Sequence, residues 1–247
     1  MTEAAGQICS GIDSLMQQYM AVANNIANAN TAGYKRSISS FSADLNRQIQ
    51  NLKDVSLTTG QIDVKQNVDF SQGQVVPTGR PLDVALEGKG FLTLETPTGP
   101  LYTRNGSLEV NALGQLVDSA GRLVAGQNGP IVIPPEVSVS SIRIGTDGTL
   151  QAGDQEVGKL SVVEFPGGTG ELEAVGFGSY RATADAKPEP ARDIRVRQGC
   201  QENSNVRIME EVVNLITLSR LYESHMNILK QQRDNNSAML SVANSQG

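Results

Sequence analysis

The sequence has no tryptophan, a single histidine and few aromatic side chains, which make up 4% of its 247 residues. So few large rings predict a modest core, or one that neighbouring chains complete. The chain also lacks any apolar run near the ~20 residues that span a bilayer. Its formal net charge of −6 argues against a general nucleic-acid binder, because phosphate neutralisation needs clustered Lys and Arg. We therefore expect no nucleic-acid partner and no membrane embedding.

Proline is missing from both ends, since all ten prolines lie between Pro77 and Pro190. Breaker-free ends around a turn-rich middle indicate an α+β protein with two terminal helices and a central β-rich domain. We place the N-terminal helix within residues 1–36 and a connecting segment at 37–76. The central β-rich domain then covers 77–200, and the C-terminal helix lies within 201–247.

Both ends carry apolar residues spaced alternately by four and three, which is typical of a heptad seam. In the N-terminal helix, expected from about residue 3 to 31, they are Ile8, Ile12, Leu15, Tyr19, Val22 and Ile26. In the C-terminal helix, which could run roughly 60 Å, they are Ile208, Val212, Leu215, Tyr222, Met226 and Leu229, with Ser219 as the one polar break. These seams predict that the terminal helices form a coiled-coil layer with those of other subunits. A self-contained two-helix hairpin is the alternative.

The middle of the chain predicts short strands separated by turn signals such as Asn105-Gly106 and Asp147-Gly148. The expected strands are Leu82–Leu86, Phe91–Glu95, Ser107–Val110, Ile131–Ile133, Ser138–Ile144 and Leu160–Phe165. Such a centre would also suit a carbohydrate-binding or adhesin module. That alternative needs exposed aromatic platforms, for which the sequence has little material.

Groups able to carry catalysis are scarce. The single histidine, His225, falls inside the C-terminal helix pattern without a nucleophile motif near it. Cys9 and Cys200 lie at opposite ends of the sequence and predict two small buried thiols, with a disulfide as the other possibility. We therefore expect no enzyme, no cofactor, no metal site and no small-molecule substrate. A cell-wall hydrolase is the rival, and it would need a metal or nucleophile site.

Three stretches carry a resemblance to a known family. Ala23-Asn24-Asn25-Ile26-Ala27-Asn28-Ala29-Asn30-Thr31-Ala32-Gly33-Tyr34-Lys35-Arg36 resembles the N-terminal signature of the flagellar basal-body rod and hook family. Arg80-Pro81-Leu82-Asp83-Val84-Ala85, followed by Tyr102-Thr103-Arg104-Asn105-Gly106, is similar to its second motif. Asn203-Ser204-Asn205-Val206 resembles the start of its C-terminal helix.

The resemblance implies a structural subunit of the basal-body rod, which transmits torque from motor to hook. Its partners would be copies of itself, homologous axial proteins and the flagellar type III export apparatus. It implies a periplasmic rod reached without a cleavable signal peptide, and residues 1–34 indeed hold no Lys or Arg. The short segment 37–79 and the Arg80–Ala85 motif favour the proximal rod, with the distal rod or another axial subunit as alternatives. Besides the two seams, the expected assembly residues are Asn25, Asn28, Asn30, Gly33, Tyr34 and Asn205, with Gly33 closing the N-terminal helix.

Overall fold

The computed structural model of the chain describes residues 2–39 and 66–245, with residues 2–10, 39, 66, 169, 232 and 236–245 described by their backbone alone. One helix lies at each end, α1 (Thr2–Ala27) and α2 (Ile208–Ser245), and short strands fill the region between them. The strands are β1 (Ser37–Ser39), β2 (Gln66–Val68), β3 (Val75–Pro77), β4 (Val84–Glu87), β5 (Phe91–Glu95), β6 (Leu101–Thr103), β7 (Leu108–Val110), β8 (Leu116–Asp118), β9 (Leu123–Gly126), β10 (Gly129–Pro130), β11 (Ile142–Ile144), β12 (Thr149–Ala152), β13 (Gln155–Lys159), β14 (Val162–Glu164), β15 (Leu172–Gly176), β16 (Ser179–Ala182), β17 (Glu189–Pro190), β18 (Arg195–Gln198) and β19 (Cys200–Glu202).

The chain divides into two compact units. The helical unit comprises the described residues within Met1–Ala27, Ser37–Asn67 and Arg207–Gly247. The β unit comprises Asn28–Arg36 together with Val68–Val206. The β unit therefore takes in a short stretch of chain directly after α1, which lies far in sequence from the rest of the unit.

The β unit is organised around one large antiparallel sheet. Its main strand order is β15-β16-β6-β5-β9-β8-β7, and β10, β14 and β17 pair alongside this path. A three-stranded sheet runs β11-β12-β13, and the pairs β18-β4 and β19-β3 return the chain to its beginning. These last two pairs bring the end of the unit against its first strands, which positions the site described below.

Two clusters of buried side chains form the core of this unit. The larger is aliphatic, and Val84, Leu92, Leu94, Leu108 and Leu150 in it have no exposed surface. The smaller is aromatic and joins Phe91, Tyr102 and Tyr180 to Phe70 and Phe165 through edge-to-face contacts. Five of the ten aromatic side chains of the sequence are thus gathered in one cluster, where each ring packs against another.

The predicted coiled-coil layer of long terminal helices is wrong. The described chain is mainly β, with α1 and α2 as its two α-helices in that part, and the central β domain is the part of the fold prediction that fits. α1 and α2 contact each other. The predicted seam is nevertheless not buried, because Tyr19, Ile208, Val212 and Met226 are each at least 37% exposed. Large apolar residues occur on several faces of α2, so spacing alone did not identify the packed face.

Several local predictions also differ from the structure. α1 ends at Ala27 rather than near residue 31, and Gly33 lies beyond it with a positive φ of 66° in a turn. Ile131–Ile133 forms only an isolated bridge, and the first part of Ser138–Ile144 is a 3-10 helix at Val139–Ser141. Cys200 is buried and free, in strand β19, whereas the side chain of Cys9 lies outside the described residues. No helix in residues 2–39 and 66–245 is long and apolar enough to cross a membrane.

Candidate functional site

The segment after α1 and the segment before α2 meet at one place in the β unit, which we call the junction. It consists of Gly33–Arg36, Asp69–Gly73, Arg104-Asn105 and Glu202–Asn205. The backbone N–H of Gly33 donates to the carbonyl of Glu202 at 2.8 Å, and that of Asp69 donates to the carbonyl of Arg36 at 2.8 Å. Chain segments far apart in sequence are thus held together by backbone hydrogen bonds.

An ion pair without solvent exposure lies at the centre of the junction. The Nζ of Lys35 is 2.6 Å from Oε1 of Glu202, and both side chains have 0% of their surface exposed. Lys35 also donates to the carbonyl of Ser71 at 2.7 Å, and the N–H of Gly73 donates to Oε1 of Glu202 at 2.9 Å. Burial lowers the pKa of Lys35 from its usual value, and the adjacent Glu202 carboxylate partly offsets this.

Arg104 is the second buried cation of the junction. Its guanidinium donates to the carbonyls of Leu86, at 3.2 Å, and Gly88, at 2.6 Å, and lies 3.5 Å from Oε2 of Glu202. It also stacks over the ring of Phe91 at 5.3 Å. Burial lowers the pKa of Arg104, again against the effect of Glu202. The guanidinium therefore fastens the end of β4 to the carboxylate of Glu202.

Gly33 is packed directly against the backbone of the second motif. A Cβ added there would lie 2.3 Å from the amide nitrogen of Asn105, closer than atoms can approach. Gly106 is equally confined, since its Cβ would meet the carbonyl oxygen of Val84. Two of the sequence motifs therefore contain glycine where one backbone crosses another.

Two asparagines bridge chain segments through both ends of their amides. Asn205 accepts from the N–H of Arg36 at 2.7 Å and donates to the carbonyl of Asp69 at 2.8 Å. In the helical unit, Asn25 donates to the carbonyl of Ser37 at 2.9 Å and accepts from its N–H at 2.8 Å. These side chains replace backbone partners in irregular chain, which is a structural use of asparagine.

Buried ion pairs and backbone hydrogen bonds hold remote chain segments together in the junction. Its buried ionised groups, Lys35, Arg104 and Glu202, each face a partner of opposite charge, and the Lys35–Glu202 pair has no contact with solvent. Burial also raises the pKa of Tyr180, which lies beside it. Within the part of the chain that the structure describes, no group of His, Cys, Asp and Glu side chains is arranged to hold a metal ion.

The packed face of α1 is displaced by one residue from the predicted seam. The residues turned inward include Ser14, Ala21 and Asn25, which are at most 4% exposed. Their neighbours in the predicted seam, Leu15, Val22 and Ile26, are only half-buried.

The packed face of α2 shares part of the predicted seam. Leu215, Tyr222 and Leu229 are half-buried as expected. The other inward-facing positions of α2 include Glu211, which is buried, and Leu218 and His225, which are half-buried. Leu218 and Tyr222 border a groove of about 260 Å³ with Leu15, Met16 and Tyr19 of α1. The seam is thus rotated about the helix axis relative to the prediction.

The remaining predicted site residues are distributed between these two places. Gly33, half-buried Tyr34 and Asn205 lie in the junction; Asn28 accepts from the hydroxyl of Thr31 at 3.2 Å; and Asn30 is exposed. Ile12 is half-buried on α1, and the side chain of Ile8 lies outside the described residues. Whether any of these residues contacts another subunit stays a prediction.

Sequence reasoning missed the charged centre of the junction. Lys35 and Arg104 were within recognised motifs but were not selected, and Glu202 and Gly73 were not noticed. Lysine and glutamate occur mostly on surfaces, so residue type argued against their burial. The one available signal was that Lys35 and Arg104 each lie beside a glycine-containing turn inside a motif.

Three family models match parts of the chain. One described as the flagellar hook protein FlgE/F/G D1 domain matches residues 85–152. One described as the flagellar basal body rod FlgEFG protein C-terminal matches 197–242, and one described as flagella basal body rod protein matches 15–35. The last two include Gly33–Lys35 and Glu202–Asn205 of the junction, and the first includes Arg104 and Asn105.

Curated relatives extend the similarity over most of the chain. The flagellar basal-body rod protein FlgF of Caulobacter vibrioides is 34% identical over 218 residues, covering 85% of each chain. FlgF of Salmonella typhimurium is 32% identical, covering 89% of this chain and 90% of its own. The flagellar basal-body rod protein FlgG of Buchnera aphidicola is also 32% identical, covering 87% and 89%.

Proposed function

The chain belongs to the flagellar basal-body rod and hook family, and from this premise we propose that it joins the rod through the exposed apolar side chains of α1 and α2. It is a structural subunit of the flagellar basal body. Its curated relatives are basal-body rod proteins, and the similarity to them extends over most of each chain. Those relatives are structural proteins rather than enzymes. The function we propose is therefore mechanical: a building block of the shaft that carries torque from motor to hook.

One observation carries this proposal. Large apolar side chains of α2 that do not face α1 are left in water in the single chain, including Met209 at 79%, Val213 at 61% and Ile216 at 49% exposure. On α1, Met16, Tyr19 and Met20 are between 40% and 55% exposed. Apolar surface repeated along two helices favours burial against neighbouring chains, at about 25 cal/mol per Å².

The junction supports a mechanical role. Torque applied to either terminal segment would reach the β unit through Lys35, Glu202 and Arg104, whose contacts lie in its interior. Interior ion pairs and hydrogen bonds are less weakened by salt than surface pairs, so the strength of this link should depend little on ionic strength. We infer that the junction fixes the segment after α1 and the segment before α2 to each other inside the β unit.

Within the rod we propose the proximal position. The Arg80–Ala85 motif and the short stretch between α1 and that motif support it. The distal rod is the alternative. Expression of the chain in strains that lack one or the other rod protein tests this, since only the matching strain should regain complete rods.

We further propose that its neighbours are copies of itself and homologous axial proteins, and that the flagellar type III apparatus exports it to the periplasm without cleavage. Family membership supports this route. Mass spectrometry of the chain isolated from basal bodies tests it, because an intact N-terminus is expected. A processed N-terminus would contradict uncleaved export.

The helix proposal is tested by placing a charge on the outer face of α2. Val213→Asp is expected to abolish incorporation into basal bodies, because the carboxylate would have to be buried against the neighbouring chain. Asn214→Asp is the matched control, since it adds the same charge at an adjacent exposed position. Near-normal rods with Val213→Asp would exclude this face from the interface.

A further inference from the structure

Three turns of the β unit contain an asparagine or aspartate directly before a glycine. They are Asn105-Gly106, Asn128-Gly129 and Asp147-Gly148. In such a pair the backbone nitrogen of the glycine can attack the side-chain carbonyl carbon of the residue before it, because glycine has no side chain to obstruct the approach. The sequence gives the two Asn-Gly pairs similar intrinsic reactivity, so any difference between them must come from the fold.

The Asn105-Gly106 pair is held by its surroundings. Oδ1 of Asn105 accepts from the N–H of Ser107 at 3.0 Å, and the N–H of Asn105 donates to the hydroxyl of Thr103 at 3.0 Å. Gly106 is buried, and its carbonyl accepts from the N–H of Val84 at 2.9 Å. Ring closure would have to break the contact of Asn105 with Ser107 and shift the buried Gly106. This pair is therefore protected in the folded unit.

The carboxylate of Asp147 is exposed but engaged. Its Oδ2 accepts from the hydroxyl of Thr149 at 2.7 Å and from Nζ of Lys159 at 3.0 Å. These hydrogen bonds, that of Thr149 first, lower the pKa of Asp147 to about 2. An ionised carboxylate is a poor electrophile, so this pair is also protected near neutral pH.

Asn128 differs from both of these residues. It lies exposed beside Gln127 in the two-residue turn that joins β9 to β10. In the described part of the chain no residue forms a hydrogen bond with its side-chain amide. Gly129 begins β10, which is two residues long and pairs with β9. So short a pairing opens locally at little cost, and opening frees the nitrogen of Gly129 for attack.

We propose that Asn128 is a deamidation site of this chain. The N–H of Gly129 gives its proton to a base in the solvent, the nitrogen forms a bond to Cγ of Asn128, and Nδ2 takes up a proton and leaves as ammonia. One water molecule then opens the five-membered succinimide to aspartate or isoaspartate. Water is the only co-reactant, and the inference does not depend on the proposed function.

The products change the turn in two ways. Each adds one negative charge to a chain whose formal net charge is −6. Isoaspartate also carries the backbone through its side chain, which inserts an extra methylene between β9 and β10. The segments on either side of the turn are close, since a Cβ added to Gly126 would lie 2.6 Å from the carbonyl oxygen of Gly129 and 2.9 Å from Cγ1 of the buried Ile131. A longer turn should therefore disturb the packing of Ile131 and lower the stability of the β unit.

Mass spectrometry of the full chain aged at mildly alkaline pH tests the site. One sample is aged folded and another in guanidinium chloride, and the conversion of amide to acid is followed at each asparagine. In the folded chain Asn128 should react at least about tenfold faster than Asn105, because Asn105 reacts only after a buried turn opens. In the denatured chain the two rates should be similar.

The rates decide the assignment. Equal rates at Asn105 and Asn128 in the folded chain, or a faster reaction at Asn105, would overturn the proposal. It would also be overturned if Asn128 stayed unmodified in the folded chain while the denatured sample reacted.

Two substitutions separate the reaction from its effect. Asn128→Gln would have to form a six-membered ring, so it should stay unmodified and keep its urea midpoint on ageing. The midpoint of the unsubstituted chain should fall as isoaspartate accumulates. Freshly prepared Asn128→Asp has the charge without the extra methylene and should match the fresh unsubstituted chain. If Asn128→Gln loses stability as fast as the unsubstituted chain, the predicted disturbance of the turn is excluded.

Discussion

At the scale of single residues, the junction depends on a glycine where two backbone segments are too close for a side chain. Gly33 combines a positive φ with a backbone crossing at Asn105, whereas Gly79 has a similar φ of 73° and nothing within 4 Å of an added Cβ. The two glycines thus separate the cost of backbone conformation from the cost of a close approach.

Gly33→Ala is expected to lower the free energy of unfolding of the β unit by about 3 kcal/mol or more, because strain and a clash add. Gly79→Ala, with strain alone, should cost about 1 kcal/mol. Urea denaturation of both variants measures the difference. Equal losses would mean that the Asn105 backbone moves aside without cost.

Glu202→Ala is expected to destabilise the β unit by about 3–5 kcal/mol, because it leaves the buried Lys35 ammonium without its carboxylate. Glu87→Ala removes the partner of Arg197 in an exposed pair and should leave stability within experimental error. Both variants are compared by urea denaturation. Similar small effects would show that Lys35 finds another acceptor.

Tyr180 makes the chain sensitive to alkali. Because burial raises its pKa above the usual 10, the folded state keeps a proton that the unfolded state releases, so stability falls as the pH rises above 10. Tyr180→Phe should flatten this fall. Stability curves against pH, with tyrosinate absorbance followed in parallel, measure it, and an unchanged slope would contradict the assignment.

At the scale of elements, the helices show how spacing can identify a helix without identifying its packed face. Leu218 is half-buried in the groove with α1, whereas Met226 from the predicted seam is 44% exposed. The inward-facing side of α2 therefore contains Leu218 and not Met226.

Leu218→Ala is expected to lower the stability of the helical unit by about 1–2 kcal/mol, as for a partly buried leucine. Met226→Ala should change it little, and both replacements keep high helix propensity. Thermal unfolding followed by circular dichroism at 222 nm compares them. A larger effect at Met226 would restore the predicted seam.

At the scale of the whole molecule, the β unit includes residues that precede it by a long stretch of chain. Residues 28–36 belong to it through Gly33, Lys35 and Arg36, although α1 directly precedes them. A boundary drawn where the strands begin would therefore remove part of the unit's interior.

A fragment of residues 28–206 is expected to unfold cooperatively with the stability of the β unit in the full chain. A fragment of residues 68–206 should be roughly 3 kcal/mol or more less stable, because Glu202 loses Lys35. Urea midpoints of the two fragments give the comparison. Equal midpoints would show that the segment after α1 is not an integral part of the unit.

Some of the fold and of the site could be predicted from the sequence. Phe91–Glu95 was predicted with the bounds that the structure has, because a β-rich run between glycine turns is a local signal. Ile131–Ile133 was not a regular strand, because strand pairing depends on a partner that is remote in sequence. Gly33 and Asn205 were selected through their motifs, but Lys35 and Glu202 were not joined, since they are 167 residues apart.

The sequence by itself determined that each end forms a helix, that the centre is β-rich, and that the chain is a rod-family subunit. These follow from local properties: proline position, apolar spacing and short motifs. Only the tertiary structure decided which helix face is packed, which charged residues are buried, and which remote segments meet at the junction. The physical reason is that burial depends on what approaches from elsewhere in the chain, and spacing along the sequence carries no information about that approach.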